Sequence, residues 1–116
     1  MRLAVLGLAL VLAACFPREG VPSADLEPYA APSREVVVSM EDFAFRPDTL
    51  RISPGTVVVF ANQGQHPHTA TESGGLFDSG ILAPGERFRY TFALSREYSV
   101  YCKLHPYMVL RTVVGP

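Results

Sequence analysis

The sequence predicts an all-β domain over residues 35–116, an antiparallel sandwich of about seven or eight short strands. Three observations point to it. β-branched and aromatic residues crowd the second half of the chain in short runs. Pro-Gly and Gly-Gly pairs punctuate those runs. No stretch sustains a helical period.

Taken in order, Glu35-Val36-Val37-Val38-Ser39-Met40 is a β-branched run that suits a pleated, half-buried surface. Pro54-Gly55 marks the turn into a second run, Thr56 to Ala61. Gly74-Gly75 and Pro84-Gly85 mark further turns, the latter opening a third run from Arg87 to Leu94. Glu97 to Cys102 is a fourth run, and Leu110 to Val114 closes the chain. Phe43, Phe45, Phe60, Phe88, Tyr90 and Phe92 read as core. There is no internal repeat. A domain of about 80 residues has a thin core, so a metal tying distant segments together would add stability.

The 116 residues suffice for one folded domain. A formal net charge of −1 gives no global reason to expect nucleic acid or an anionic membrane surface as partner. Two cysteines, Cys15 and Cys102, cannot build the disulfide framework of a small secreted scaffold.

Residues 1–15 read as a lipoprotein export signal. Arg2 supplies the positive start, Leu3 to Leu12 the apolar run, and Leu12-Ala13-Ala14-Cys15 resembles the bacterial lipobox, cut before a Cys that is then lipidated. The apolar run is too short for a permanent membrane-spanning helix. The competing reading is an ordinary signal peptide cleaved after Ala14, or a short uncleaved anchor. On the lipobox reading Cys15 becomes the acylated N-terminus, and the protein sits outside the cytoplasm, on the periplasmic side or cell surface of a bacterial membrane. Residues 16–34 carry Pro17, Pro22, Pro28 and Pro32 without apolar periodicity, and read as an extended, flexible tether. With Cys15 consumed, Cys102 is the only thiol left. An unpaired thiol in an oxidising compartment is a liability unless buried or bound to metal.

The chemistry gathers in Tyr101-Cys102-Lys103-Leu104-His105-Pro106-Tyr107-Met108. A thiolate, an imidazole and a thioether recur there every third residue. With one more imidazole they form the donor set of an electron-transfer copper site: one Cys and two His in a plane, with a weak axial Met. Soft sulfur donors stabilise Cu(I), while imidazole and thiolate also accept Cu(II). The blander reading is a buried Cys beside a surface His and a core Met of the last strand. The second imidazole must come from His66 or His68, the only other histidines. His68 is preferred because Pro67 fixes the backbone before it and an extended Thr69-Ala70-Thr71 follows, although both rings could face one side of such a segment.

Cys-x-x-His-Pro-x-Met resembles the ligand loop of the cupredoxins, the blue type 1 copper proteins, with the spacing of the amicyanin type. The resemblance covers about residues 35 to 116. Phe43-Ala44-Phe45-Arg46-Pro47, Leu50-Arg51-Ile52 and Pro54-Gly55-Thr56 through Asn62 are similar to the family's N-terminal half. Phe77-Asp78-Ser79-Gly80 and Pro84-Gly85-Glu86 are similar to its middle turns. The resemblance implies a Greek-key sandwich and one copper held by His68, Cys102, His105 and Met108. It also implies that Thr69 fastens the two ligand segments together. Leu110 stands where relatives usually carry Gly, and Leu104 where amicyanin and plastocyanin carry Pro. Unlike Pro, Leu104 has an N–H, which is expected to point back at the Cys102 sulfur as a second hydrogen bond beside one near Thr69.

These features imply a membrane-tethered, monomeric blue-copper protein that passes one electron between a redox protein donor and acceptor. Pro67, Leu104, Pro106 and Tyr107 are expected to form an apolar collar around His105. A closed mononuclear site offers no open position for substrate, so the sequence is not read as an enzyme's. The alternatives are a copper-binding protein for metal delivery or buffering, and a structural β-domain with zinc or an empty site. Delivery proteins tend to carry Met-rich or repeated Cys/His tracts, and only three Met occur here.

Overall fold

Successive side chains on a strand point to opposite faces, and this alternation sets how each segment lies here. The computed structural model describes residues 34–116. The segment read as an export signal, Cys15 and the Pro-rich segment as far as residue 33 lie outside the described residues. Within them are eight strands: β1 (Glu35–Glu41), β2 (Ala44–Arg46), β3 (Thr49–Ile52), β4 (Thr56–Asn62), β5 (Thr71–Glu72), β6 (Arg87–Phe92), β7 (Arg96–Tyr101) and β8 (Val109–Val114). The described residues contain no helix. Gly55 and Gly85, at φ of 91° and 92°, turn the chain where Pro-Gly pairs predicted it, in a backbone region that only glycine adopts without strain.

The strands form two four-stranded sheets, ordered β2-β1-β4-β6 and β3-β8-β7-β5. The sandwich and the number of strands agree with expectation, but the sheets are mixed rather than wholly antiparallel. β1 pairs parallel to β4, with Glu35 opposite Val57 and Met40 opposite Asn62. β3 likewise pairs parallel to β8, with Thr49 opposite Arg111. The reason is connectivity. Between β1 and β4 the chain crosses to the other sheet to form β3, and strands joined by a crossover run the same way. Strands β2, β3 and β5 are too short to show a period in the sequence.

Val38 and Met40 of β1, Phe45 of β2, Val58 and Phe60 of β4, Phe92 of β6, Val100 of β7 and Leu110 of β8 are buried between the sheets. An aromatic cluster fills the middle, with Phe77 4.2 Å from Tyr90 and 5.8 Å from both Phe88 and Phe92 between ring centroids. Leu110, where relatives carry Gly, is fully buried opposite Val100 and is simply a core residue of the last strand. Phe43 departs from its expected core position. It lies in the turn between β1 and β2 rather than on a strand, and is 40% exposed.

The register places one set of ends together. β1 and β4 finish side by side, and β7 runs out into the loop from which β8 returns.

Candidate metal centre

Three loops meet at that end: the β1–β2 turn, the segment between β4 and β5, and the loop from Cys102 to Met108. Asn62, buried at the end of β4, shapes the second. Its amide donates to the carbonyls of His66 and Leu82 at 2.9 Å each, and its Oδ1 accepts from the Gly64 N–H at 2.9 Å. His68 is then locked by a backbone bridge, its N–H to Leu82 O at 3.1 Å and Leu82 N–H to His68 O at 2.8 Å. In the third loop, the His105 N–H donates to Cys102 O at 3.2 Å, Met108 N–H to His105 O at 2.8 Å, and Cys102 N–H to Met108 O at 3.2 Å. These bonds fix the backbone at His68 and tie Cys102, His105 and Met108 to one another.

The structure gathers one donor atom each of His68, Cys102 and His105 within 4.8 Å of one another. Cys102 Sγ lies 3.8 Å from Nδ1 of His68 and 3.6 Å from Nδ1 of His105. His68 and Cys102 are fully buried and His105 is half-buried. Met108 is buried in the same core cluster as Cys102, its backbone tied to both neighbouring donors. His66 stands apart, its side chain 58% exposed. His66→Ala should therefore keep one copper per chain and the blue thiolate-to-copper absorption, as a copper titration followed by absorption will show.

Thr69 links the segments twice. Its N–H donates to Cys102 Sγ at 3.3 Å, and its Oγ1 accepts from the Lys103 N–H at 2.8 Å. Behind it, Oγ1 contacts Thr71 Oγ1 at 2.9 Å, Thr71 reaches Asp78 at 3.2 Å, and Lys103 Nζ closes on Asp78 at 2.6 Å. The Lys103 ammonium, with the Gly80 N–H next, holds the Asp78 carboxyl below its ordinary value.

The expected second bond to sulfur, from Leu104, is not formed. The turn closed by His105 N–H on Cys102 O puts Leu104 on its outer side, 43% exposed, and the sulfur takes its backbone hydrogen bond from Thr69. Leu104 instead contributes to the surface around His105. Pro67, Pro106 and Tyr107 are exposed there too, Tyr107 at 70%. Phe43 joins them, its ring centroid 4.6 Å from that of His105.

Asp42 escaped the sequence reading. Its carboxylate accepts from Gln65 N–H at 2.7 Å and His66 N–H at 3.3 Å, and meets Nδ1 of His66 at 3.1 Å and Nε2 of His68 at 2.8 Å. The Gln65 amide above all, and then the bonds to the two histidines, hold its carboxyl well below the usual carboxylate range despite partial burial. No local motif marks it, because its partners lie more than twenty residues away.

A buried cysteine sulfur, two imidazoles turned to it through Nδ1 and a buried thioether nearby suit a metal that cycles between soft and borderline states, which is copper. The comparisons agree. A family model described as copper binding proteins of the plastocyanin/azurin family matches residues 32–115. No curated protein matches the chain. Among solved structures, a purple cupredoxin from Nitrosopumilus maritimus is 26% identical, with a TM-score of 0.64, covering 69% of this chain and 99% of that one. A copper-containing nitrite reductase from Thermus scotoductus is 32% identical with a TM-score of 0.65, over 71% of this chain but 22% of that one. A Cu(I) structure of an amicyanin mutant shares the fold at 20% identity and a TM-score of 0.65, covering 73% and 87% of the two chains. The chain belongs to the copper-binding plastocyanin/azurin family, the cupredoxins, and its His-Cys-His-Met-type site is that of one copper.

Proposed function

We propose that this cupredoxin is a one-electron carrier, not an enzyme in itself, in which His68, Cys102 and His105 would hold copper strongly and the Met108 thioether would hold it weakly. The observation that carries the reading is the convergence of Sγ and two Nδ1 atoms in a site already fixed by hydrogen bonds. Copper bound there would supply the chemistry, a single electron gained or lost between Cu(II) and Cu(I). The chain's part is to keep the donors still. Thr69 holds the sulfur from one side, and the Cys102–Met108 loop is braced by three backbone bonds, so both oxidation states meet nearly the same ligand positions. Burial of Cys102 and His68 keeps solvent from the site, and half-buried His105 is the donor nearest the surface. Around it, Phe43, Leu104 and Tyr107 offer exposed apolar surface, with the Lys103–Asp78 ion pair at its margin. Such a surface suits the small, short-lived contacts of redox partners, which bury less than about 1,200 Å².

The reading includes an address. Leu12-Ala13-Ala14-Cys15 followed by a Pro-rich segment supports a protein lipidated on Cys15, tethered to a bacterial membrane and facing redox partners outside the cytoplasm. The site is tested by adding Cu(II) to the purified domain. An intense blue band with small hyperfine splitting in the spin-resonance spectrum is expected, and a pale, ordinary Cu(II) spectrum would favour delivery or buffering. The address is tested by Cys15→Ala, which should release the protein from the membrane fraction or leave it unprocessed. A mutant that stays membrane-bound at its mature mass overturns the lipid anchor.

A further inference from the structure

The two histidines of the site are not held alike. Nδ1 of His68 faces Cys102 Sγ at 3.8 Å, while its Nε2 lies 2.8 Å from Asp42 Oδ1. The His68 side chain is fully buried and that of Asp42 is 18% exposed. His105 also turns Nδ1 to the sulfur, at 3.6 Å, but among the described residues no carboxylate meets its other nitrogen. An imidazole that binds metal through Nδ1 must carry its proton on Nε2. Buried as it is, that N–H needs an acceptor, and Asp42 is the acceptor present.

We propose that Asp42 is a positioning residue of the copper site, fixing His68 in the Nε2–H tautomer and setting how strongly that imidazole donates. The inference rests on the electron-carrier reading and deepens it. Asp42 is itself anchored: Oδ2 accepts from the Gln65 N–H at 2.7 Å and meets His66 Nδ1 at 3.1 Å, and Oδ1 also accepts from the His66 N–H at 3.3 Å. Gly64 supplies the room. A Cβ there would sit 2.3 Å from Asp42 Oδ1 and 3.2 Å from His68 Nε2. The contacts of the His66 and His68 rings converge on one carboxylate, so an exposed side chain is joined to a buried ligand through Asp42.

A carboxylate accepting the ring N–H raises the basicity of the opposite nitrogen. A more basic donor favours Cu(II) over Cu(I) and lowers the reduction potential. Removing the negative charge should raise it. Outer-shell partners of this kind commonly change metal affinity by about 10- to 100-fold. A tenfold loss borne by Cu(II) alone corresponds to about 59 mV for one electron.

Two measurements test this, one of them without metal. In the apo-protein, nitrogen-15 spectra of the histidine rings should show His68 as the Nε2–H tautomer, and an Nδ1–H tautomer would overturn the assignment. In the copper protein, Asp42→Asn should keep the blue band and raise the potential by about tenfold in the Cu(II)/Cu(I) equilibrium. A blue mutant at the wild-type potential overturns the proposal. If Asp42→Asn does not fold, the wild-type apo spectrum decides alone. A wild-type chain that shows no blue band would sink the electron-carrier reading, while the tautomer measurement would still judge Asp42.

Discussion

Cys102→Ser should abolish the blue colour of the copper-loaded protein while leaving the domain folded. The intense band needs a thiolate that can pass charge to the metal, and an alkoxide or hydroxyl does not do so at visible energies. Cys102 is the only cysteine among the described residues and lies at zero exposure between His68 and His105. The fold does not depend on the sulfur, because the sheets are filled by Val38, Phe45, Phe60, Phe92, Val100 and Leu110. A Ser hydroxyl can also take the Thr69 N–H that now points at Sγ from 3.3 Å, so no buried donor is orphaned. One such bond is worth about 1 kcal/mol, which bounds what weakening it in the exchange can cost. Absorption and a thermal melt of the two proteins measure both halves of the expectation. A retained blue band would falsify the ligand assignment.

What the sequence revealed followed how local each feature was. Cys102, His105 and Met108 fall in one seven-residue loop, so their spacing alone suggested the donor set. His68 was favoured over His66 by Pro67 before it, an extended segment after it and the family resemblance, since alternation alone let both rings face one side. Asp42 was invisible for a definite reason. It reaches His68 because β1 and β4 run parallel, with Met40 opposite Asn62 and the Gln63 N–H on Met40 O at 3.0 Å, so that the turn after β1 meets the loop after β4. Period-2 patterning is the same for parallel and antiparallel pairs, so nothing in the runs of Val and Thr specified that direction. Phe43 misled because a large aromatic is usually core, yet β2 begins one residue later and the ring turns toward His105. Leu104 misled differently. An available N–H is not an aimed one, and the turn closed by His105 N–H on the Cys102 carbonyl leaves it off the sulfur.

Gly64→Ala should do the largest damage of any single methyl added near the site. Gly64 shows no left-handed backbone, so the cost is steric rather than conformational. The new Cβ would lie 2.3 Å from Asp42 Oδ1, 2.9 Å from its Cγ and 3.2 Å from His68 Nε2. A carboxylate at the end of a free side chain could swing aside. This one is held by the Gln65 and His66 amides and by both histidine rings, so it moves only by giving up bonds. Overpacking of a filled site costs about 1–3 kcal/mol. For a domain of this size that lowers the melting temperature by about 4–8 °C per kcal/mol. Gly115→Ala is the matched control. Nothing lies within 4 Å of where its new methyl would sit and its φ is not left-handed, so it should change stability by less than about 0.5 kcal/mol. In the copper protein, Gly64→Ala should also raise the potential, in the same direction as Asp42→Asn, because the displaced carboxylate no longer accepts from His68. Melting curves and voltammetry of the two alanine variants make the comparison. If Gly64→Ala keeps the wild-type melting temperature and potential, the Asp42 carboxylate is free to move and does not hold His68 in place.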